Sequence, residues 1–160
     1  MDIQEKLIDL IHDFSTAMLV TRSDDGSLDA RPMAVAQAED DGKIWFVTDR
    51  SSGKIADLMF DSEVAVTMQG SSKYVSLSGI AHPVDDRVKL DELWSEAWKV
   101  WFPEGKASES ILLLMVEPTR AEYWDNSGLT GVKYLLKAGK AYLQGERPST
   151  DASTNASISL

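Results

Sequence analysis

Apolar residues recur along this chain with two different spacings, and the changes between them mark out the elements. Ile3, Leu7, Ile8, Leu10, Ile11 and Phe14 share one side at helical spacing, while Asp2, Glu5, Asp9 and Asp13 take the other. This predicts an amphipathic helix over residues 3–14. Short apolar runs follow at Thr16–Arg22, Leu28–Gln37 and Lys43–Thr48, separated by turns at Ser23-Asp24-Asp25-Gly26 and Asp40-Asp41-Gly42. Two Asp-Gly turns between such runs predict an antiparallel meander. After Thr48 the chain enters a polar turn and then a short helix, whose apolar face is Ile55, Leu58 and Met59 and whose cap is Ser51 or Ser52.

The second half repeats the alternation. Glu63–Gln69, with Val64, Val66 and Met68, reads as a fourth strand, and Lys73–Val84 as a long fifth one. Gly79 inside it suits a bulge or a close backbone approach. Asp85–Phe102 is expected to be helical, with Trp94, Trp98 and Trp101 forming a buried stripe, and Pro103-Glu104-Gly105 stops it. Ser110–Glu117 is the most apolar segment and reads as a central strand broken by Pro118. Arg120–Trp124 is expected as the last strand, and Gly131–Leu143 as a closing helix. The polar stretch from Pro148 lacks a periodic pattern and is expected to be disordered. The reading is therefore one α+β domain over residues 1–145, a small antiparallel barrel of six or seven strands with flanking helices, and a tail over 146–160. The βαβ repeats of a doubly wound fold are missing, as is a Gly-x-Gly-x-x-Gly turn after a strand.

Charge narrows the function classes. The 160 residues carry a net charge of -10. That argues against a nucleic-acid surface and against docking on anionic membranes. The absence of cysteine excludes disulfides, thiol catalysis and thiolate metal sites. With His12 and His82 as the two histidines, no histidine-based metal centre is expected. His12 reads as a helix-end residue and His82 as structural, because no partnered nucleophile is in view. No apolar run is long enough to span a bilayer, and the first residues lack the pattern of a secretory signal, so a cytoplasmic protein is the expectation.

Against that acidic background one cluster stands out. The stretch Thr48-Asp49-Arg50-Ser51-Ser52-Gly53-Lys54 places two cations around the first turn of a helix. That end of a helix carries partial positive charge and ordinarily prefers Asp or Glu. Free backbone N–H groups, two hydroxyls and two cations make an anion site, most simply a phosphate site. A surface turn with incidental basic residues accounts for the same pattern. Strand two adds Arg31-Pro32-Met33. Proline cannot donate to a ladder, so Pro32 belongs at an edge or a bulge. Arg31 should lie at the same end of the meander as Thr48, where it can join Lys54 on one ligand or pair with an acidic neighbour.

In this order, Arg31-Pro32-Met33, Trp45-Phe46-Val47-Thr48-Asp49, Ser52-Gly53-Lys54 and Val64-Ala65-Val66-Thr67, the chain resembles the flavin-binding split-barrel family of pyridoxamine 5'-phosphate oxidase-like proteins, most closely the bacterial general stress protein subgroup. The resemblance runs from about Ile3 to Leu143. It implies a split β-barrel homodimer with FMN, or FAD, at the subunit interface. It also implies that Arg31, Ser51, Ser52 and Lys54 hold the phosphate and ribityl chain, and that backbone around Pro32, Met33, Phe46, Val47 and Thr48 borders the flavin ring. An aromatic residue of the second subunit closes the ring's other side, with Trp124 the first candidate and Trp101 the second. The resemblance leaves open a flavin-dependent oxidoreductase that meets NAD(P)H, a flavin carrier or sensor without turnover, and a haem- or deazaflavin-binding relative. Pyridoxamine phosphate oxidases also carry a C-terminal substrate segment with an Arg near a His. Here Glu146-Arg147-Pro148 leads into a tail without His, so a vitamin B6 substrate is not expected.

Overall fold

The computed structural model describes residues 2–149 and 151–160, without the side chain of residue 130. Helix α1 (Ile3–His12) is closed by a reciprocal capping box between Asp2 and Glu5. Six strands follow, interrupted by helices: β1 (Thr16–Arg22), β2 (Leu28–Ala38), β3 (Ile44–Asp49), α2 (Gly53–Phe60), β4 (Glu63–Gln69), β5 (Lys73–Val84), α3 (Arg87–Leu93), and β6 (Ile111–Asp125). They are all antiparallel in the order β3-β2-β1-β4-β5-β6, and β3 also pairs with β6, which closes a six-stranded barrel. Helix α4 (Gly128–Gln144) and strand β7 (Asn155–Ser159) complete the chain. The expected α+β barrel with flanking helices is the fold observed.

The main core fills the barrel and its α1 end. Leu19, Phe46, Val66, Leu77 and Leu114 point inward from successive strands, and α1 adds Leu7, Leu10 and Ile11. A second, smaller core lies outside β3 and β6, where Leu90, Trp98 and Phe102 pack on Ile111 and Leu113. Strand β3 serves both. Ile44 and Phe46 face the barrel, while Trp45 and Val47 face the second core, as the period of two requires.

Four expectations are corrected. Pro118 does not divide two strands, because β6 runs through it. On one edge β6 pairs with β3 over Ile111–Val116 and with β7 over Arg120–Trp124, and Pro118 falls in the gap between them. A residue without an N–H costs nothing there. On the other edge the register of β5 shifts at Ser78/Gly79. A Cβ on Gly79 would lie 2.4 Å from the Glu117 carbonyl oxygen, so the close approach expected at Gly79 is real. Second, the helix expected over 85–102 stops at Leu93. Trp94 is extended (ψ 134°), and Ser95 caps a separate 3₁₀ turn at Glu96–Val100 by accepting from the Ala97 N–H. Serine at a cap outcompetes helix propagation. The three tryptophans therefore form no stripe: Trp98 is buried edge-on against Trp94, and Trp101 points to solvent at 62 % exposure. Third, the tail is not wholly irregular. β7 pairs with β6, the Tyr123 hydroxyl donates to the Ala152 carbonyl, and Lys137 pairs with Asp151. Fourth, in α2, Leu58 is buried but Met59 faces water.

Candidate functional site

The site lies where the β2–β3 ladder stops. Those strands pair at Ala38↔Ile44, Gln37↔Trp45 and Val35↔Phe46, with an irregularity between Val35 and Gln37. Continuing the register would set Ala34, Met33 and Pro32 opposite Val47, Thr48 and Asp49. The strands instead part, and these same six residues line a cleft of about 420 Å³ together with Thr16, Lys54, Trp101 and Phe102. Pro32 is paired on its β1 side, opposite Met18. It therefore sits at the open edge that proline requires, and the bulge lies four residues further on. The opening is mostly apolar and edged by strand backbone, which suits a flat heterocycle with a hydrogen-bonding rim.

At one end this cleft meets a shallower polar one. The second cleft is lined by Ser23, Asp29, Arg31, Ser52, Gly53, Lys54 and Asp57, so Lys54 belongs to both. Helix α2 begins here. Its Ser52 cap makes no side-chain capping bond, and no acidic residue stands in the first turn. Lys54 Nζ donates instead to Thr48 Oγ1 at 2.7 Å and Ser52 Oγ at 2.8 Å. Both partners are neutral hydroxyls, so the half-buried ammonium has its charge uncompensated by them. Burial, and then the charge of Arg31, push the Lys54 pKa below the ordinary lysine value. The sense of that shift is what two desolvated cations produce when they face a common space.

Arg31 is held in place by β1 and α2. Its Nη1 donates to Thr21 Oγ1 at 2.7 Å, and its Nη2 lies 3.7 Å from Asp57 Oδ2. Thr21 is buried and donates onward to Asp57 at 3.0 Å. The acidic partner foreseen for Arg31 thus exists, yet the guanidinium still lines the polar cleft. Thr21 and Asp57 were not singled out in the sequence. The available signal was spacing, since Asp57 stands three residues after Lys54 and therefore on the same side of α2.

The other expected residues divide. Pro32, Met33, Val47, Thr48, Ser52 and Lys54 all line the clefts. Phe46 does not, being fully buried in the barrel core. Ser51 is spent on Asp49, with its N–H at 2.7 Å and its hydroxyl also bound there, an Asx turn that leads the chain into α2. Those two bonds lower the Asp49 pKa. Arg50 turns away to Asp85 at 2.9 Å and to the Glu109 carbonyl. Trp124 sits far along β6, opposite Tyr74 and Asn155, and lines neither cleft of its own chain. Trp101 lines the mostly apolar cleft of its own chain.

A profile of the family described as pyridoxamine 5'-phosphate oxidase like matches residues 2–149. The chain belongs to that family. Among solved structures, a general stress protein 26 of Jannaschia sp. CCS1 is 26% identical with a TM-score of 0.74, the match covering 99% of both chains. A general stress FMN/FAD binding protein of Xanthomonas citri is 30% identical with a TM-score of 0.67, over 79% of this chain and 90% of its own. A haem-binding protein of Mycobacterium smegmatis, at 14% identity and a TM-score of 0.60, shares the fold over 77% of this chain and 54% of its own. Comparison with curated protein sequences gives no match. Among the described residues, no helix is long and apolar enough to cross a membrane.

Proposed function

We propose that this protein binds a flavin mononucleotide, its phosphate at the α2 N-terminus and its ring in the cleft between β2 and β3. One observation carries the reading. Lys54, a half-buried cation resting on two neutral hydroxyls beside Arg31, stands where a shallow polar cleft meets a mostly apolar one. A ligand with a phosphate at one end and a planar ring at the other answers both halves. The family and the flavin-binding relative from Xanthomonas citri support it. In this assignment Arg31, Ser52 and Lys54 hold the phosphate. Strand edges at Pro32–Ala34 and Val47–Asp49 border the ring, and Trp101 shields it. When bound, the flavin supplies hydride and electron chemistry, while the chain orients it and limits its contact with water.

The general stress class of its relatives and the composition of the cleft favour a carrier or sensor over an efficient oxidoreductase. Asp49 and Lys54 are the titratable side chains among the residues lining the ring cleft, and Lys54 is committed to the phosphate. A nicotinamide donor remains the natural reductant for an enzyme reading, and a homodimer the natural assembly. The test is the absorption spectrum of the purified protein, followed by release and chromatography of the chromophore. Bands near those of free flavin, with FMN eluting, support the proposal. A haem Soret band, or a protein that stays colourless after incubation with FMN, overturns it.

A further inference from the structure

The side of β2 that borders the site changes charge along its length. Residues two apart share one side of a strand, so Met33, Arg31 and Asp29 follow one another away from the ring cleft. Met33 lines that cleft, while Arg31 and Asp29 line the polar one. Asp29 stands about 7 Å beyond Arg31 along the strand. Helix α2 repeats the order: Lys54 borders both clefts, and Asp57, three residues on, borders the polar one. Two carboxylates thus share the polar cleft with the two cations that clamp a phosphate. Thr21 ties the four together. It is the register partner of Asp29 across the β1–β2 ladder, accepts from Arg31 at 2.7 Å and donates to Asp57 at 3.0 Å.

The two carboxylates are not equivalent. Asp57 lies 3.7 Å from the Arg31 guanidinium, which answers its charge. Asp29 is exposed, and among the described residues its side chain has one partner, the neutral Ser23 hydroxyl, which donates to it at 2.8 Å. No cation there offsets its charge. A phosphate monoester at the end of a ligand carries about 1.5 to 2 negative charges at neutral pH, which Arg31 and Lys54 together match. A pyrophosphate spreads its charge over two groups, and a ligand whose ring fills the apolar cleft carries the second of them past the clamp, toward Asp29. There it meets a like charge. At that separation, partly screened repulsion is worth about a tenfold change in affinity. A repulsive element of this kind discriminates between ligands as effectively as an added attraction.

We propose that Asp29 makes the phosphate site selective for a terminal monoester, so that it admits FMN and repels the second phosphate of FAD. The proposal rests on the flavin reading above. Calorimetry of the flavin-free protein with riboflavin, FMN and FAD tests it. The parent should bind FMN at least about tenfold more tightly than FAD. Asp29→Asn, which keeps the side chain's shape, should close most of that gap by strengthening FAD more than FMN, and should leave riboflavin unchanged. Asp40→Asn removes the same charge from the turn at the other end of β2 and should leave the ratio as it is. Salt near 1 M should narrow the parent's ratio by screening and barely move that of Asp29→Asn. A ratio that Asp29→Asn leaves unchanged would mean that FAD is excluded by shape, and overturns the proposal. So does a variant that loses FAD more than FMN, because Asp29 would then accept from the adenosine ribose. A parent that binds FMN and FAD equally overturns the selectivity and leaves the flavin reading intact. A parent with no affinity for FMN removes both.

Discussion

Lys54 separates the cost of building the site from the gain of filling it. Its ammonium is desolvated and faces Arg31, and its pKa is lowered in consequence. Between that lowered value and the ordinary lysine value the unfolded chain binds the extra proton, so the flavin-free protein gains stability as pH rises through the window. A phosphate reverses the preference by favouring the charged form. Flavin affinity should therefore fall as pH rises through the lowered Lys54 pKa, and also fall toward acid as the phosphate loses its second charge near pH 6. Titrating flavin fluorescence quenching against pH measures this, and a flat alkaline limb would remove Lys54 from the phosphate. Arg31→Ala and Lys54→Ala should each weaken FMN binding about ten- to a hundredfold, the worth of a charge-assisted hydrogen bond of about 1.5–3 kcal/mol. Ser51→Ala should change it little, since that hydroxyl is bound to Asp49. Calorimetry on the three variants decides between them, and equal affinities throughout would refute the phosphate assignment. The cations were legible in sequence because they stand at a helix start that prefers acids. Arg50 and Ser51 were not separable from Lys54 and Ser52, because only the Asx turn at Asp49 determines which of these neighbours face the cleft.

At the scale of elements, the legible parts were those fixed by local chemistry. The Asp-Gly turns and the period-two runs located β1 to β5 because turn type and pleat are short-range properties. The errors came where a tertiary partner overrode a local signal. Pro118 reads as a breaker, yet β6 continues because its N-atom falls between the two strands that share that edge. Ser95 cut a helix that apolar spacing extended to Phe102, and this cut puts Trp101 over the cleft instead of in a stripe. The polar tail carries too little apolar pattern to announce β7, which is recruited by the edge of β6 that β3 leaves uncovered. Deleting residues 150–160 should therefore lower stability by more than about 2 kcal/mol, beyond the usual range for surface changes. The deletion removes the β7 ladder and the Tyr123 partner at Ala152. Urea denaturation of the shortened protein checks this. An unchanged midpoint and slope would mean that the segment adds nothing to the fold.

At the scale of the molecule, the proposed reading gives the barrel one phosphate clamp and one ring cleft among the described residues, and that count bears on chemistry. Oxidation of pyridoxamine phosphate requires a second phosphorylated molecule held against the flavin in near-attack geometry. The single cation lining the ring cleft is Lys54, already assigned to the cofactor. The groove that continues past Trp101 and Phe102 is lined by Ser108, Ser110, Glu104 and Glu109. Carboxylates there repel a phosphate, and a site that binds its substrate weakly has little binding energy to apply in the transition state. The protein should thus oxidise pyridoxamine phosphate slowly or not at all, while the ring stays open to hydride exchange with a docked nicotinamide. Two assays separate these outcomes. Stopped-flow mixing of the FMN-loaded protein with NADH or NADPH follows flavin bleaching directly. Rapid bleaching with turnover to an acceptor marks an oxidoreductase, and a flavin unchanged over minutes marks a carrier or sensor. Steady production of pyridoxal phosphate at an enzyme's ordinary rate, on the order of 10 s⁻¹, would contradict the clamp count. It would require a second cation to reach the cleft, and the partner subunit's surface would be the place to seek it.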